Sequence, residues 1–221
     1  PPATASVAKP SPAPEPAPNP APAPVAPTAP ATTGGVISVL FLAANPSDTD
    51  PLRIDRELRV IREAIERGRH RGALDLDIRT AATVHDLRRA MLEKDYAIIH
   101  ISGHGESEGL ILEDERGKSV EVPKQALAKL FARHAAKGHL RCVLLNACWS
   151  SSIGELPEMN GLYAIGMQGP ISDSGALEFS RGFYDAIGAG EDIAAAYDEG
   201  ISCVELAAPS AIFECELSRP Q

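Results

Sequence analysis

The chain has 221 residues, a formal net charge of −9 and a pI near 5.2, a balance that excludes the broad basic surface selected by nucleic-acid backbones and anionic membranes. Of its 19 prolines, 12 fall in the first 33 residues beside 10 alanines, where Lys9 and Glu15 are the only charges and Leu, Ile, Met and aromatic residues are absent. Such a segment has nothing to offset the entropy of folding, which excludes a globular N-terminal domain.

Residues 1–35 therefore read as a disordered Pro/Ala-rich linker, extended as polyproline II, and residues 36–221 as one domain with a single core. Because the chain opens on Pro1, the linker reads as a tether to an upstream module. No apolar run approaches the ~18 residues of a membrane span, and the leader lacks the basic and apolar regions of a signal peptide. Cys142, Cys148, Cys203 and Cys215 form no CxxC pair and no dense framework, so they read as reduced thiols of a cytoplasmic protein.

After Gly34-Gly35, the run VISVLFLAA (36–44) is continuously apolar and β-branched, the mark of a strand buried on both faces. NPSDTDP follows as a loop in which Asp50 is placed to cap a helix and Pro51 to open it; Ile54, Leu58, Ile61 and Ile65 then line one helical face, and Gly68 ends it. The seven arginines from Arg53 to Arg71, offset by four acids, read as a solvated face. A second strand (73–78) precedes a helix opened by Thr83 and Asp86, and DYAIIHIS (95–102) is a third strand. Residues 109–122 read as a hairpin turning at Glu115, Arg116 and Gly117, and Pro123 starts a helix that ends near Gly138. Further strands at 141–148 and 161–167, helices at 174–187 and 192–206, and a last strand at 210–217 complete the chain. Strands alternating with helices predict an α/β three-layer sandwich with a largely parallel six-stranded sheet.

In open α/β sheets the site lies beyond the carboxyl ends of the strands. Two reactive residues sit there: His104, in the SGHG turn after the third strand, and Cys148, ending CVLLNAC. If those strands are neighbours, imidazole can draw the proton from sulfur, giving a cysteine nucleophile with a histidine base. Gly103 and Gly105 allow a sharp turn, and the backbone amides of Gly105 and Cys148 could form an oxyanion hole. Each residue alone is more often packing than chemistry; their joint occurrence at two strand ends carries the assignment. Asp173, in the GPISDS segment before a helix, is either that helix's N-cap or a carboxylate facing the cleft.

Competing motifs fail. GHGESEG is one residue too long for GxGxxG and leads into a strand, no GxxxxGK[ST] occurs, and the position six residues beyond Cys148 holds Gly154 where a phosphatase loop wants arginine. Zinc held by His100, His104 and Cys148 lacks a further ligand at suitable spacing, so neither metal nor organic cofactor is expected.

The strings DYAIIHISGHGESEGLILED, VLLNACWSS and AIGMQGPISDSGALEFSRGFYDAIGAGEDIAAAYDEG resemble the CHAT family, caspase-like cysteine peptidases related to separases and metacaspases. The resemblance spans nearly all of residues 36–217, with the His turn, the Cys strand end and GPISD in the family's order. It implies a caspase-type fold, His104 and Cys148 as catalytic dyad, and a place at the C-terminus of a bacterial multidomain protein that cuts protein targets once a sensor module is triggered. It also implies that Asp173, if it faces the cleft, pairs with a basic side chain before the scissile bond. One departure is the stretch from Ile153 to Gly161, where relatives carry an alanine-rich helix and this chain has Pro157 and two glycines.

The expectation is a cysteine endopeptidase acting on a protein or peptide, without direct nucleic-acid or membrane partners. The rival readings are a catalytically silent interaction module of the same fold and a nucleotide-handling α/β domain. Intact His104 and Cys148 argue against the first, and the missing phosphate loop against the second.

Overall fold

The computed structural model describes residues 36–70 and 72–220; the linker expected over 1–35 lies outside them. Apolar, β-branched runs form the strands of a six-stranded sheet: β1 Ile37–Ala43, β2 Leu74–Arg79, β3 Ile98–Ser102, β7 Cys142–Asn146, β8 Tyr163–Met167 and β9 Cys215–Ser218. Its order is β2-β1-β3-β7-β8-β9, with every neighbouring pair parallel except β8 and β9. The largely parallel six-stranded sheet expected from the sequence is present.

Side chains alternate between two apolar layers, as strand periodicity requires. Leu40, Leu42, Ile99, Ile101, Val143 and Leu145 pack toward α2 (Val84–Glu93) and α3 (Lys124–Ala135). Val39, Phe41, Ile98, Leu144 and Ile165 pack toward α1 (Ile54–Arg67), α5 (Asp173–Ala189) and α6 (Ile193–Ala207). Burial on both faces explains why these strands are continuously apolar instead of alternating.

Local signals set several boundaries. Thr83 and Asp86 form a reciprocal capping box at the start of α2, and the Asp192 side chain accepts the Ala195 amide at 2.9 Å to open α6. The expected hairpin is β5 (Gly109–Glu113) with β6 (Ser119–Pro123), turning where Gly117 takes φ +69°, a left-handed conformation open to glycine. A short strand β4 (His104–Glu106) that the sequence did not announce pairs with β5, making a separate three-stranded sheet.

Asp50 does not cap α1. The helix begins three residues later than expected, with Arg53 at the N-cap position and no side-chain cap. The loop instead spends its polar groups on tertiary bonds: Asn45 Oδ1 accepts the Leu52 amide at 3.0 Å, and the Asp48 carboxylate accepts the Ser119 amide at 2.9 Å. The stretch after Cys148 is irregular, with a four-residue helix α4 (Ser151–Gly154) and a 3-10 turn (Pro157–Met159).

Candidate active site

Strands β3 and β7 are neighbours, with Ser102 opposite Asn146 at their carboxyl ends. The chain leaves both strands at the same level, and the Gly103 amide donates to the Asn146 carbonyl at 3.3 Å. Two residues beyond the paired positions lie His104 and Cys148, both half-buried and both lining one cleft of about 460 Å³ at the sheet edge. Loops after β1, β3, β7 and β8 converge there; Leu52, Arg53, Ile54 and Glu57 form one wall and Ile171, Asp173, Ala176 and Leu177 another.

His104 is oriented by the backbone. Its Nε2 lies 2.8 Å from the carbonyl oxygen of Asp50, which can only accept, so the proton resides on Nε2 and Nδ1 carries the basic lone pair. The Asp48 bonds to Ser119, and the Ser47 amide donating to the Gly117 carbonyl at 3.0 Å, anchor that loop on the small sheet. Hydrogen bonding from the Ser119 amide holds the Asp48 carboxyl below its ordinary range.

The turn carrying Cys148 is held from three sides. The buried Ser150 hydroxyl donates to the Leu145 carbonyl at 2.8 Å and accepts the Met167 amide at 2.9 Å, tying the turn to β7 and β8. Trp149, 47% exposed, takes φ +58°, a conformation costly for a bulky L-residue. Gly105 backs onto the Cys148 carbonyl so closely that a Cβ there would lie 2.1 Å from the oxygen. Among the described residues the Cys148 amide donates to no backbone carbonyl.

The remaining thiols are set apart by their surroundings. Burial pushes Cys142 up to about 12 and Cys203 up to about 11, and raises Cys215 further, so none of the three supplies thiolate at neutral pH. All four cysteines are unpaired.

Asp173 is the first residue of α5, not its N-cap; the Ser172 hydroxyl takes that role by accepting the Gly175 amide at 3.3 Å. The Asp173 carboxylate is exposed at the cleft rim and accepts no side-chain hydrogen bond among the described residues. Arg53, on the facing wall, is engaged by Asp55 through two contacts of 3.2 Å.

His100 does not join His104 in lining the cleft. It is fully buried between β3 and α5, with Nδ1 3.1 Å from the Tyr184 hydroxyl and Nε2 3.2 Å from Glu57 Oε1. Glu57 itself, 5% exposed beneath the cleft, went unread in the sequence, although its spacing from Ile54 and Ile61 sets it within the apolar face of α1.

A largely parallel sheet thus brings a cysteine and a histidine to adjoining strand ends, and comparison with known proteins gives the family. The model of the CHAT domain matches residues 10–200, so the chain belongs to the CHAT domain family. A "Probable protease" of Gillisia limnaea is 23% identical over 174 residues, covering 77% of this chain and 31% of that protein. The chain thus spans under a third of that relative's length. Among solved structures, a secreted C11 cysteine protease from Bacteroides thetaiotaomicron, in complex with an irreversible peptide inhibitor, is similar with a TM-score of 0.57 at 15% identity, over 78% of this chain and 59% of that one. Caspase-1 from Spodoptera frugiperda is similar with a TM-score of 0.56 at 11% identity, over 89% and 92%. These likenesses establish the caspase-like fold.

Proposed function

We propose that the chain is a cysteine-type peptidase in which Cys148 is the nucleophile and His104 the general base. The observation that carries this reading is the register of β3 with β7, from which both residues enter one cleft while the Asp50 carbonyl holds the His104 ring. Family membership and the names of the protease relatives support it.

His104 Nδ1 takes the proton of the Cys148 thiol, and the sulfur forms a bond to the carbonyl carbon of the substrate. The backbone amides of Gly105 and Cys148 receive the oxyanion. As the tetrahedral intermediate collapses, the C–N bond breaks and the leaving amine takes the proton from the imidazolium. Water, losing a proton to His104, then adds to the thioester, and C–S cleavage releases the carboxylic acid and restores the thiol. The reaction draws on no metal or organic cofactor.

The Asp173 carboxylate, which accepts no side-chain hydrogen bond among the described residues while Arg53 is held by Asp55, selects a basic side chain before the scissile bond. The catalytic domain spans 36–221, with 1–35 as a linker to a sensor module in a larger bacterial effector protein. Four unpaired cysteines suit the reducing cytoplasm, and no helix among the described residues is long and apolar enough to cross a membrane.

The test is covalent capture. A peptidyl chloromethyl ketone incubated with the full chain should add one equivalent, mapped by mass spectrometry to Cys148. His104→Ala should slow the addition by on the order of a hundredfold. Labelling of another cysteine, or equal rates in both proteins, would overturn the assignment.

A further inference from the structure

Glu57 is a charged residue in the apolar face of α1, where a leucine would complete the stripe of Ile54, Leu58 and Ile61. Burying a carboxylate there costs free energy unless its lone pairs are filled. They are filled from both strands of the site. Oε2 accepts the hydroxyl of Ser102, and Oε1 accepts Asn146 Nδ2 at 2.6 Å and the Ser180 hydroxyl at 2.8 Å. His100 Nε2 lies at ion-pair distance, 3.2 Å from Oε1.

Ser102 ends β3 two residues before His104, and Asn146 ends β7 two residues before Cys148. One carboxylate therefore holds the two strand ends from which base and nucleophile emerge. Resting on the dyad reading, we propose that Glu57 is the positioning residue of the site, fixing the distance between the His104 and Cys148 turns through Ser102 and Asn146. The remaining contacts, from Ser180 on α5 and from His100, hold the carboxylate itself in place.

Two further facts agree. Burial would raise the Glu57 carboxyl, but His100, Ser102 and Asn146 outweigh it and keep the group below its ordinary value, so it remains a full acceptor at neutral pH. The Asn146 amide has its oxygen unpartnered among the described residues, and of the three bonds its nitrogen makes the one to Glu57, at 2.6 Å, is far shorter than those to the Ala176 carbonyl and the Ser180 hydroxyl at 3.4 Å, so Glu57 chiefly sets its orientation.

The contrast between two hydroxyl deletions tests the role. Ser102→Ala removes the carboxylate's link to the His104 strand, whereas Ser180→Ala leaves both strand links, Ser102 to Glu57 and Asn146 to Glu57, in place and removes only the α5 hydroxyl with its long 3.4 Å contact to Asn146. The readout is the rate of Cys148 alkylation by iodoacetamide against pH, normalised to folded protein and mapped by mass spectrometry, which needs no substrate. In wild type the neutral-pH rate should depend on His104, and that advantage should vanish in His104→Ala. Ser102→Ala and Glu57→Gln should slow neutral-pH alkylation by on the order of tenfold and move the profile upward, with Ser180→Ala within about twofold of wild type.

A folded Glu57→Gln with a wild-type profile, or Ser102→Ala indistinguishable from Ser180→Ala, would overturn the proposal; the second comparison decides if Glu57→Gln does not fold. A wild-type rate independent of His104 would instead remove the dyad, and the positioning role with it.

Discussion

The α-carbon of Gly105 rests against the carbonyl of Cys148, so close that a methyl group added there would lie 2.1 Å from the oxygen and 3.2 Å from the Ala147 Cβ. The strand carrying His104 and the turn carrying Cys148 are thus in backbone contact, and only glycine permits it. Gly105→Ala should separate them, lowering kcat on the order of a hundredfold and stability by about 1–3 kcal/mol. Gly103→Ala, whose methyl would meet the Ala44 oxygen at 3.4 Å, should cost far less. Peptidase assays and chemical denaturation of both variants check this; equal losses would contradict it.

On the proposed dyad, in which His104 and Cys148 act as one unit, their losses should not add. His104→Ala, Cys148→Ala and the double variant should show nearly the same residual kcat/KM. Both side chains are only half-buried, so the thermal transitions should stay near wild type. A double variant much weaker than Cys148→Ala, or activity surviving in Cys148→Ala, would refute the dyad.

Asp173 makes a prediction about selectivity. Fluorogenic peptides ending in Arg or Lys should be cut faster than those ending in Leu or Asp, and Asp173→Ala should remove most of that preference mainly through KM. A preference for Asp in wild type, or unchanged Arg selectivity in the variant, would remove the basic-pocket reading.

Trp149 holds φ +58° next to Cys148. Glycine adopts that conformation without the steric penalty, so Trp149→Gly should be more stable than Trp149→Ala by about 1 kcal/mol, the reverse of the usual order. Urea denaturation of the two variants reads the difference. Alanine as the more stable would mean that the turn relaxes out of the left-handed region.

Acid should weaken the fold through Glu57. Its carboxyl is held below the ordinary 4.5, so the folded protein binds that proton less readily than the unfolded chain. The resulting stabilisation is complete above the unfolded value and is lost as pH falls through the lower folded one. The urea midpoint should therefore fall as pH drops below about 4.5, and fall less steeply in Glu57→Gln. Asp77, lowered chiefly by Arg79, and Asp86, lowered by the Thr83 amide, contribute with the same sign in both proteins. Parallel curves for wild type and variant would show that Glu57 is not responsible.

Local chemistry was legible wherever it was self-contained. Continuous apolar runs marked β1, β3, β7 and β8, because strands covered by helices on both sides have no polar face. The capping box of Thr83 and Asp86 could be read because donor and acceptor lie three residues apart. His104 and Cys148 stood out as reactive residues at strand ends, and the family resemblance rested on the same segments.

What the sequence left open depends on residues far apart in the chain. Asp50 has the side chain of a cap, yet in the fold its carbonyl serves His104, 54 residues away, and α1 starts uncapped at Arg53. Ser172 outcompetes its neighbour Asp173 for the cap of α5, leaving the carboxylate at the rim. Glu57 looked like a solvated charge and is a buried acceptor for Ser102, 45 residues away, and Asn146, 89 away. The sequence by itself determined the strands of the main sheet, most of the helices and the two reactive side chains, since these follow from periodicity and residue chemistry over a few positions. Only the tertiary structure decided that β3 lies beside β7, which polar groups meet at their ends and which charge is buried beneath them, because the hydrogen bonds that offset such burial come from separate strands and helices.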